Sequence, residues 1–468
     1  MSIKDKRYVT IIDAKVKNIT PLHIGTDDDE LLISQEYNKV YLPATTISGV
    51  FRAYIREIYG EYICNDVFGE GKSESKIYVY DSYSDLKSKE VRPSVKIDKH
   101  KGSSHNGVKF NREYVGAEHE FNIRFEVLGK DKEEGEKNKE YIYQCLNALN
   151  KGQIVLGAYT TSGAGIFSVE SIETCSYDFS NIKGLMGYLK RDKKHASKLR
   201  KSYIDKGSFV KEVESNFIDF IIKGNLDTPL LVKGQDTLDY KKPDGENIKN
   251  AQGDYVIPGT SVKGVIRSQS ERILDYFEKM FLKEEIFGTE QEENNSNNED
   301  IKKNNFNGNI IKEKREEDKL PCRIYVSDVV IENPVNKEGE TIYHRIKLDK
   351  FTGGVMKGAL IEEQPILGEL AIKIRLKKFR EDKLIEGNIK NNAVIGLLSL
   401  ALRDLCIGDV SLGSGFSIGR GKLRADCMEI KDGDKLISKI NFKDKSITNQ
   451  ETLNSYIKTL KSLTENMV

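Results

Sequence analysis

The sequence predicts an α+β protein in which one ferredoxin-like plan, βαββαβ, is used twice in tandem. Three observations carry that prediction. The stretch from Tyr255 to Arg267 (Tyr-Val-Ile-Pro-Gly-Thr-Ser-Val-Lys-Gly-Val-Ile-Arg) has an earlier counterpart from Tyr41 to Arg52 (Tyr-Leu-Pro-Ala-Thr-Thr-Ile-Ser-Gly-Val-Phe-Arg). Pro258 and Arg267 lie 215 residues after Pro43 and Arg52, and later matches lie further apart: 247 residues for Tyr78 and Tyr325, 251 for Asp98 and Asp349, 256 for Gly165 and Gly421. Offsets that only grow are what insertions between true repeats produce. Within each copy, apolar runs of period two and period 3.6 then follow in the same order.

The first copy opens on Tyr8 to Val16, an alternating β-branched run and hence a strand. Pro21-Leu-His-Ile-Gly25 and an acidic loop from Asp27 to Glu30 follow. The Pro43 turn leads into a helix with Val50, Phe51, Tyr54, Ile55, Ile58 and Tyr59 on one stripe, closed by Val67-Phe-Gly69. Ile77 to Asp81 and Phe121 to Val127 read as strands, Tyr141 to Leu149 as a helix, and Phe167 to Ile172 as a last strand after the glycine loop Gly157 to Gly165.

The second copy repeats this. Phe217 to Leu226 is its first strand, Pro229 to Gly234 its Pro-Leu turn, and Val262, Val265, Ile266, Ile273, Leu274 and Phe277 its helix stripe. Ile286-Phe-Gly288 answers Val67-Phe-Gly69, and Ile324 to Asp328 answers Ile77 to Asp81. Leu370 to Leu376 is a strand, Ala393 to Leu405 a helix, Gly413 to Gly421 the glycine loop, and Lys422 to Ile430 the closing strand. The predicted division is 1–175 for the first repeat, 176–215 for a basic connector with some helical character, 216–430 for the second repeat and 431–468 for a tail with one helix from Glu451 to Leu463. Residues 289–320, rich in Asn, Glu and Lys, read as an exposed insertion.

The chain of 468 residues carries 74 basic and 73 acidic side chains, so net charge neither demands nor excludes a nucleic acid; where the charges sit decides. No apolar run is long enough to span a bilayer and the first residues hold no apolar signal core, so a cytoplasmic protein with no membrane partner is expected. The six cysteines never form a C-x-x-C pair and the histidines do not cluster with them, which argues for reduced core thiols rather than zinc.

The Pro turns carry the chemistry. A turn opening a helix leaves backbone N–H groups unpaired in the first turn, where the helix dipole favours an anion. Thr260 or Ser261 is expected to cap the second helix, with Lys263 and Arg267 close by; Thr45, Thr46, Ser48 and Arg52 hold the matching places in the first copy. The bland reading of each turn is a common helix cap, and repetition is what favours phosphate binding. The second glycine loop adds Arg420 and Lys422, whereas the first has Ala164 where Arg420 stands and so loses the charge. Lys96-Ile-Asp-Lys99 and Lys347-Leu-Asp-Lys350 precede polar stretches, which read most simply as solvated hairpins.

Taken together, "Pro-Leu-His-Ile-Gly", "Pro-Gly-Thr-Ser-Val-Lys-Gly-Val-Ile-Arg" and the late "Gly-Phe-Ser-Ile-Gly-Arg-Gly" resemble the RAMP proteins of CRISPR–Cas systems, in particular the backbone subunits of type III effector complexes. The resemblance covers roughly 8–172 and 216–430, and two copies in one chain resemble the tandem subunits of type III-D-like complexes. It implies RRM-like RAMP domains that hold a guide RNA by its backbone, beside other effector subunits. It also implies thumb-like hairpins, near 96–115 and 347–362, that wedge into the guide–target RNA duplex through Phe351, Val355 and Met356, or Phe110 and Tyr114. Many such subunits cut target RNA with a loop aspartate and a divalent metal, Mg2+ or Mn2+. The acidic loops offer Asp27, Asp28, Asp29, Glu30 and Glu36 in the first copy and Asp236, Asp239, Asp244 and Asp254 in the second; spacing favours Asp236 or Asp239 as catalytic and metal-binding, with Asp28 as the first copy's candidate. His23 and His344 are candidates for packing or RNA contact. A non-catalytic structural or capping subunit, or a guide-processing endoribonuclease with a histidine or tyrosine–lysine site near the glycine loop, are the alternatives.

Overall fold

The computed structural model describes residues 7–26, 30–34, 37–71, 73–97, 104–192, 197–201, 214–234, 243–289, 320–335, 342–380 and 384–464. In chain order the first half holds β1 (Tyr8–Asn18), β2 (Ile33–Ser34), β3 (Lys39–Leu42), α1 (Ala44–Tyr59), α2 (Glu61–Phe68), β4 (Ile77–Val79), β5 (Ser82–Asp85), β6 (Lys89–Ile97), β7 (Ser104–Val115), β8 (Glu120–Gly129), α3 (Lys132–Asn150), β9 (Phe167–Asp178), α4 (Ile182–Leu189) and β10 (Ser197–Lys201). The second half holds β11 (Phe217–Leu226), β12 (Gly245–Glu246), β13 (Val256–Ile257), α5 (Gly259–Tyr276), α6 (Leu282–Phe287), β14 (Ile324–Val326), β15 (Val329–Val335), β16 (Tyr343–Leu348), β17 (Val355–Gln364), β18 (Leu367–Lys377), α7 (Leu384–Cys406), β19 (Leu423–Asp432), β20 (Lys435–Asn441), β21 (Ser446–Thr448) and α8 (Gln450–Ser462).

Contacts divide the chain into two units. The first takes Met1–Asn216, Leu231–Gly259 and Ser327–Gly368; the second takes Phe217–Leu230, Thr260–Val326 and Glu369–Val468. The protein is therefore mixed α+β with antiparallel main sheets, and pieces of the later sequence are built into the first unit.

The first unit's sheet runs β10-β9-β1-β8-β4. β1 is central, paired antiparallel to β8 (Tyr8 opposite Gly129) and to β9 (Tyr8 opposite Asp178). Its alternation sends Ile12, Ala14 and Val16 into the core, where Ile47, Phe51 and Ile55 of α1 and Ile142, Cys145, Leu146 and Leu149 of α3 join them. Each large apolar side chain among them contributes about 1.5–3 kcal/mol of burial free energy. Helix α3 starts well before the apolar stripe at Tyr141 because Asp131 caps it, accepting the Glu134 N–H at 2.9 Å. Among the described residues of the connector, Ile182–Leu189 is a helix and Ser197–Lys201 a strand on the edge of β9.

The second unit shows the same strand order, with β14 against β18, β18 against β11 and β11 against β19. Both central strands slip register at matching places on the side of the closing strand, between Lys15 and Val16 and between Lys223 and Gly224. Phe220, Ile222, Ile372, Ile374, Met428 and Ile430 are buried in it, with Val262 and Ile266 of α5 and Leu397, Leu398 and Leu402 of α7. The tail holds more than its one expected helix: β20 and β21 extend the sheet beyond β19, and α8 lies so close to α7 that a Cβ on Gly396 would meet the Tyr456 carbonyl at 2.6 Å.

Hairpin β6–β7, a sheet of its own within the first unit, is joined to β8 through a pinned turn. Asn18 donates to the Thr20 and Gly116 carbonyls at 2.9 and 2.8 Å and accepts the His119 N–H at 2.8 Å. His119 is buried; its Nε2 accepts the Lys87 N–H at 2.8 Å, so Nδ1 carries the proton toward the Gly116 carbonyl at 3.0 Å. Burial, followed by the nearby Lys87 charge, lowers the His119 pKa below its ordinary value, against the opposing backbone bond to Gly116. The unfolded chain thus takes up a proton near pH 6.5 while the folded chain resists until lower pH. The His119 contribution to stability is fully present above pH 6.5 and is lost as pH falls through the folded pKa. Melting temperatures between pH 7.5 and pH 5 should fall more steeply for the native chain than for His119→Gln; equal slopes would remove this assignment.

Candidate nucleic-acid interface

The two Pro turns open helices of matching exposure. Thr45 and Gly49 of α1 are exposed, Thr46, Ser48 and Arg52 half-buried, and Ile47 and Phe51 buried; in α5 the same holds for Thr260 and Gly264, for Ser261, Lys263 and Arg267, and for Val262 and Ile266. The caps differ from expectation. Helix α5 already begins at Gly259, so Thr260 and Ser261 sit inside the first turn and do not cap it. The cap is a carboxylate from a link between two strands: Asp328 Oδ1 accepts the Gly259 N–H at 2.9 Å, and Asp81 Oδ1 accepts the Ala44 N–H at 2.8 Å. Asp81 and Asp328 both stand two residues after the paired Ile-Tyr-Val strands, so the repeat alignment itself held the signal.

Gly49 and Gly264 stand out on these heads. An exposed glycine inside a helix costs about 1 kcal/mol relative to alanine. A Cβ at either would meet nothing within 4 Å, so no internal packing requires these glycines. One turn later the arginines face their own structure. Arg52 donates to Asn65 Oδ1 of α2 at 3.2 Å, and Arg267 pairs with Glu271 at 3.0 Å and stands 5.9 Å over the Phe287 ring of α6.

The glycine loops match position for position at an offset of 256. Gly157, Tyr159, Gly163 and Gly165 have positive φ, as do Gly413, Gly415, Gly419 and Gly421. Between them lie short 3-10 turns, Thr160–Ser162 and Phe416–Ile418. Each loop is tied to its Pro-Leu turn in the same way. Thr20 Oγ1 accepts the Ile166 N–H and Thr228 Oγ1 the Lys422 N–H, both at 2.9 Å. Gly165 and Gly421 donate to the Pro21 and Pro229 carbonyls at 2.8 and 3.0 Å. Lys422 is exposed, but Arg420 is 7% exposed and folds over Gly415, so it is not the open loop cation that its sequence position suggested.

Both expected thumbs are antiparallel hairpins, β6–β7 and β16–β17, the second with β12 paired parallel to β17. Asp349 turns the tip of the second by accepting the Phe351 and Thr352 N–H groups at 2.9 and 2.8 Å. Those bonds, Thr352 first, hold its pKa below the usual carboxylate range. Phe351 is 99% exposed, and Val355, Met356, Lys347 and Lys350 are exposed with it. In the first hairpin Phe110 is exposed but Tyr114 is buried, so Tyr114 does not serve as a wedge. The Lys96 side chain, and Lys99 altogether, lie outside the described residues.

Of the expected acids, Asp28, Asp236 and Asp239 lie outside the described residues, as do Asp27, Asp29 and Glu36. Asp244 accepts the Glu362 N–H at 2.9 Å and Asp254 the Asn250 amide at 3.1 Å, so both hold local structure. Among the described residues no group of three or more His, Cys, Asp or Glu side chains is placed to hold a metal ion. His23 is buried with Nδ1 2.7 Å from the Glu113 carbonyl, a packing role, while His344 is exposed 3.4 Å from Glu362.

The RAMP superfamily model matches residues 15–168 and 224–424, most of both halves. The chain belongs to the RAMP superfamily. Both RAMP segments take in a helix head, a hairpin and a glycine loop. No curated protein matches the chain. Among solved structures it is similar to a chain in the cryo-EM structure of the type III-B Cmr-beta bound to cognate target RNA. That match has 20% identity and a TM-score of 0.30, and covers 36% of this RAMP chain and 61% of that chain. Among the described residues no helix is long and apolar enough to cross a membrane.

Proposed function

We propose that this chain is a guide-RNA-binding backbone subunit of a type III CRISPR effector complex, in the tandem double-repeat, type III-D-like form. Each half is read as a ferredoxin-like RAMP domain, on the ground of its antiparallel strand order and of two of its helices, α1 and α3 or α5 and α7, packed in its core. The observation that carries the reading is the duplicated exposed glycine, Gly49 and Gly264, with open space around it and an exposed threonine one helical turn before. Glycine kept where the protein gains nothing from it suits the close approach of a sugar–phosphate strand. The exposed apolar tip of β16–β17 suits a wedge in the guide–target duplex, and other effector subunits are the expected neighbours.

Target-RNA cleavage belongs to the same proposal. The 2′-oxygen attacks the adjacent phosphorus while a carboxylate takes its proton; the P–O5′ bond breaks, leaving a 2′,3′-cyclic phosphate and a 5′-oxygen that takes up a proton from water, with Asp236 or Asp239 as the candidate carboxylates in the second repeat and Asp28 in the first. A divalent ion, Mg2+ or Mn2+, held by Asp236 and Asp239 would supply charge stabilisation of the phosphate.

Gly49→Ala and Gly264→Ala test the interface. Each should raise the melting temperature, by about 0.5–1 kcal/mol of helix stability, and weaken guide-RNA binding about tenfold. Unchanged affinity in both would remove the helix heads from the RNA path. With guide and target present, Asp236→Ala or Asp239→Ala should abolish metal-dependent cuts at the second repeat. Cutting that survives in both clears those residues of the role, and binding without any cutting in the native chain identifies a structural subunit.

A further inference from the structure

Among the described residues, a half-buried guanidinium beside the first glycine loop has no acid to answer it. Arg112 of β7 stands 4.2 Å from the centre of the Tyr159 ring and 4.7 Å from that of Phe110, so aromatic faces hold it. Among the described residues its side chain makes neither a hydrogen bond nor a salt bridge. Its cross-strand neighbour Arg92 is answered by Glu90 and Asp328. Like charges directly opposite on a strand pair are destabilising, so the unanswered member of this pair is the one that gains from an external anion.

Tyr159 is built for this arrangement. It sits in the left-handed region, φ 57° and ψ 24°, where the matching residue of the second loop is Gly415. A tyrosine in that conformation is a local outlier that the surroundings must hold. Here His23 packs edge-on at 5.0 Å and Arg112 stands over the ring. The two loops exchange bulk: Tyr159 with Ala164 in the first, Gly415 with Arg420 in the second. The guanidinium that the first loop lacks in sequence is thus brought to it by β7.

We infer that Arg112, clamped by Tyr159 and Phe110, is an anion-binding site of the first repeat that takes a phosphodiester of single-stranded RNA through the edge of its guanidinium. This rests on the RNA-binding reading above. Stacking occupies the flat faces and leaves the in-plane N–H donors, which match two phosphate oxygens. Phe110, 41% exposed, lies at the open side of the stack.

Binding of a labelled oligouridylate to the full chain across a salt series tests it. Arg112→Gln should lower affinity about tenfold and flatten the slope of log K against log salt by about 0.7, the loss of one contact to a single strand. Arg112→Lys should restore the slope but not the affinity, because lysine lacks the planar fork. Phe110→Ala, which removes only an exposed wall, should fall between native and Arg112→Gln, and stands in if the latter melts early. An unchanged slope in Arg112→Gln, or full recovery by lysine, overturns the inference while leaving RNA binding intact. A native chain that binds no RNA overturns the RNA-binding reading and this site with it.

Discussion

Arg92→Ala should destabilise the protein by about 3–5 kcal/mol, the usual cost of removing one member of a buried charge network. The Arg92 side chain is 11% exposed and bonds to both Glu90 and Asp328, themselves 4% and 15% exposed. Burial works to lower the Arg92 pKa, but Asp328 and Glu90 outweigh it and hold the pKa above its usual value. Without the guanidinium, two largely buried carboxylates face each other. Both carboxylates also anchor the backbone, since Glu90 Oε1 accepts the Ala251 N–H at 3.0 Å and Asp328 Oδ1 accepts the Gly259 N–H at 2.9 Å. The loss should therefore reach the head of α5 as well as β6. Chemical denaturation of the native chain, Arg92→Ala and the triple variant Arg92→Met/Glu90→Gln/Asp328→Asn measures it. The triple variant should regain most of the stability, since the uncompensated charge is what costs. A single variant within about 1 kcal/mol of native would show that the network contributes little.

Gly421→Ala should cost roughly 2–5 kcal/mol, adding left-handed strain to a steric clash. Its φ is 72°, and a Cβ would stand 1.9 Å from the Leu412 carbonyl oxygen. That carbonyl cannot withdraw easily, because the same two residues are joined by the Leu412 N–H donating to the Gly421 carbonyl at 2.8 Å. Gly165→Ala should behave alike: φ is 78°, and its Cβ would lie 1.8 Å from the Leu156 carbonyl oxygen. Gly419→Ala is the control. Its φ of 82° is as strained, but a Cβ there meets nothing within 4 Å, so only the conformational part, about 1–2 kcal/mol, should appear. Equal losses at Gly419 and Gly421 would show that the close approach is relieved elsewhere.

The duplication was legible in the sequence because it is written in local signals. Strand and helix periods, the Pro turns, and the Val-Phe-Gly and Ile-Phe-Gly stops need only neighbouring residues to be read. Helix α2 ends at Phe68 and α6 at Phe287, with Gly69 and Gly288 both at φ 77°. The glycine loops were legible as loops for the same reason, since positive φ selects glycine residue by residue.

What the chain order by itself determined is the pair of RAMP repeats, the helix heads and the order of turns. What only the tertiary structure decided is which charges meet. Asp328 rather than Thr260 caps α5, Arg420 is buried, Glu90 and Asp328 answer Arg92, and β7 supplies Arg112 to the loop that Ala164 leaves uncharged. The reason is geometric: apart from Glu90, two residues from Arg92, these partners come from segments far apart in sequence, and the strand register that brings Phe110, Arg112 and Tyr114 to one face would send all three to the other if shifted by one residue.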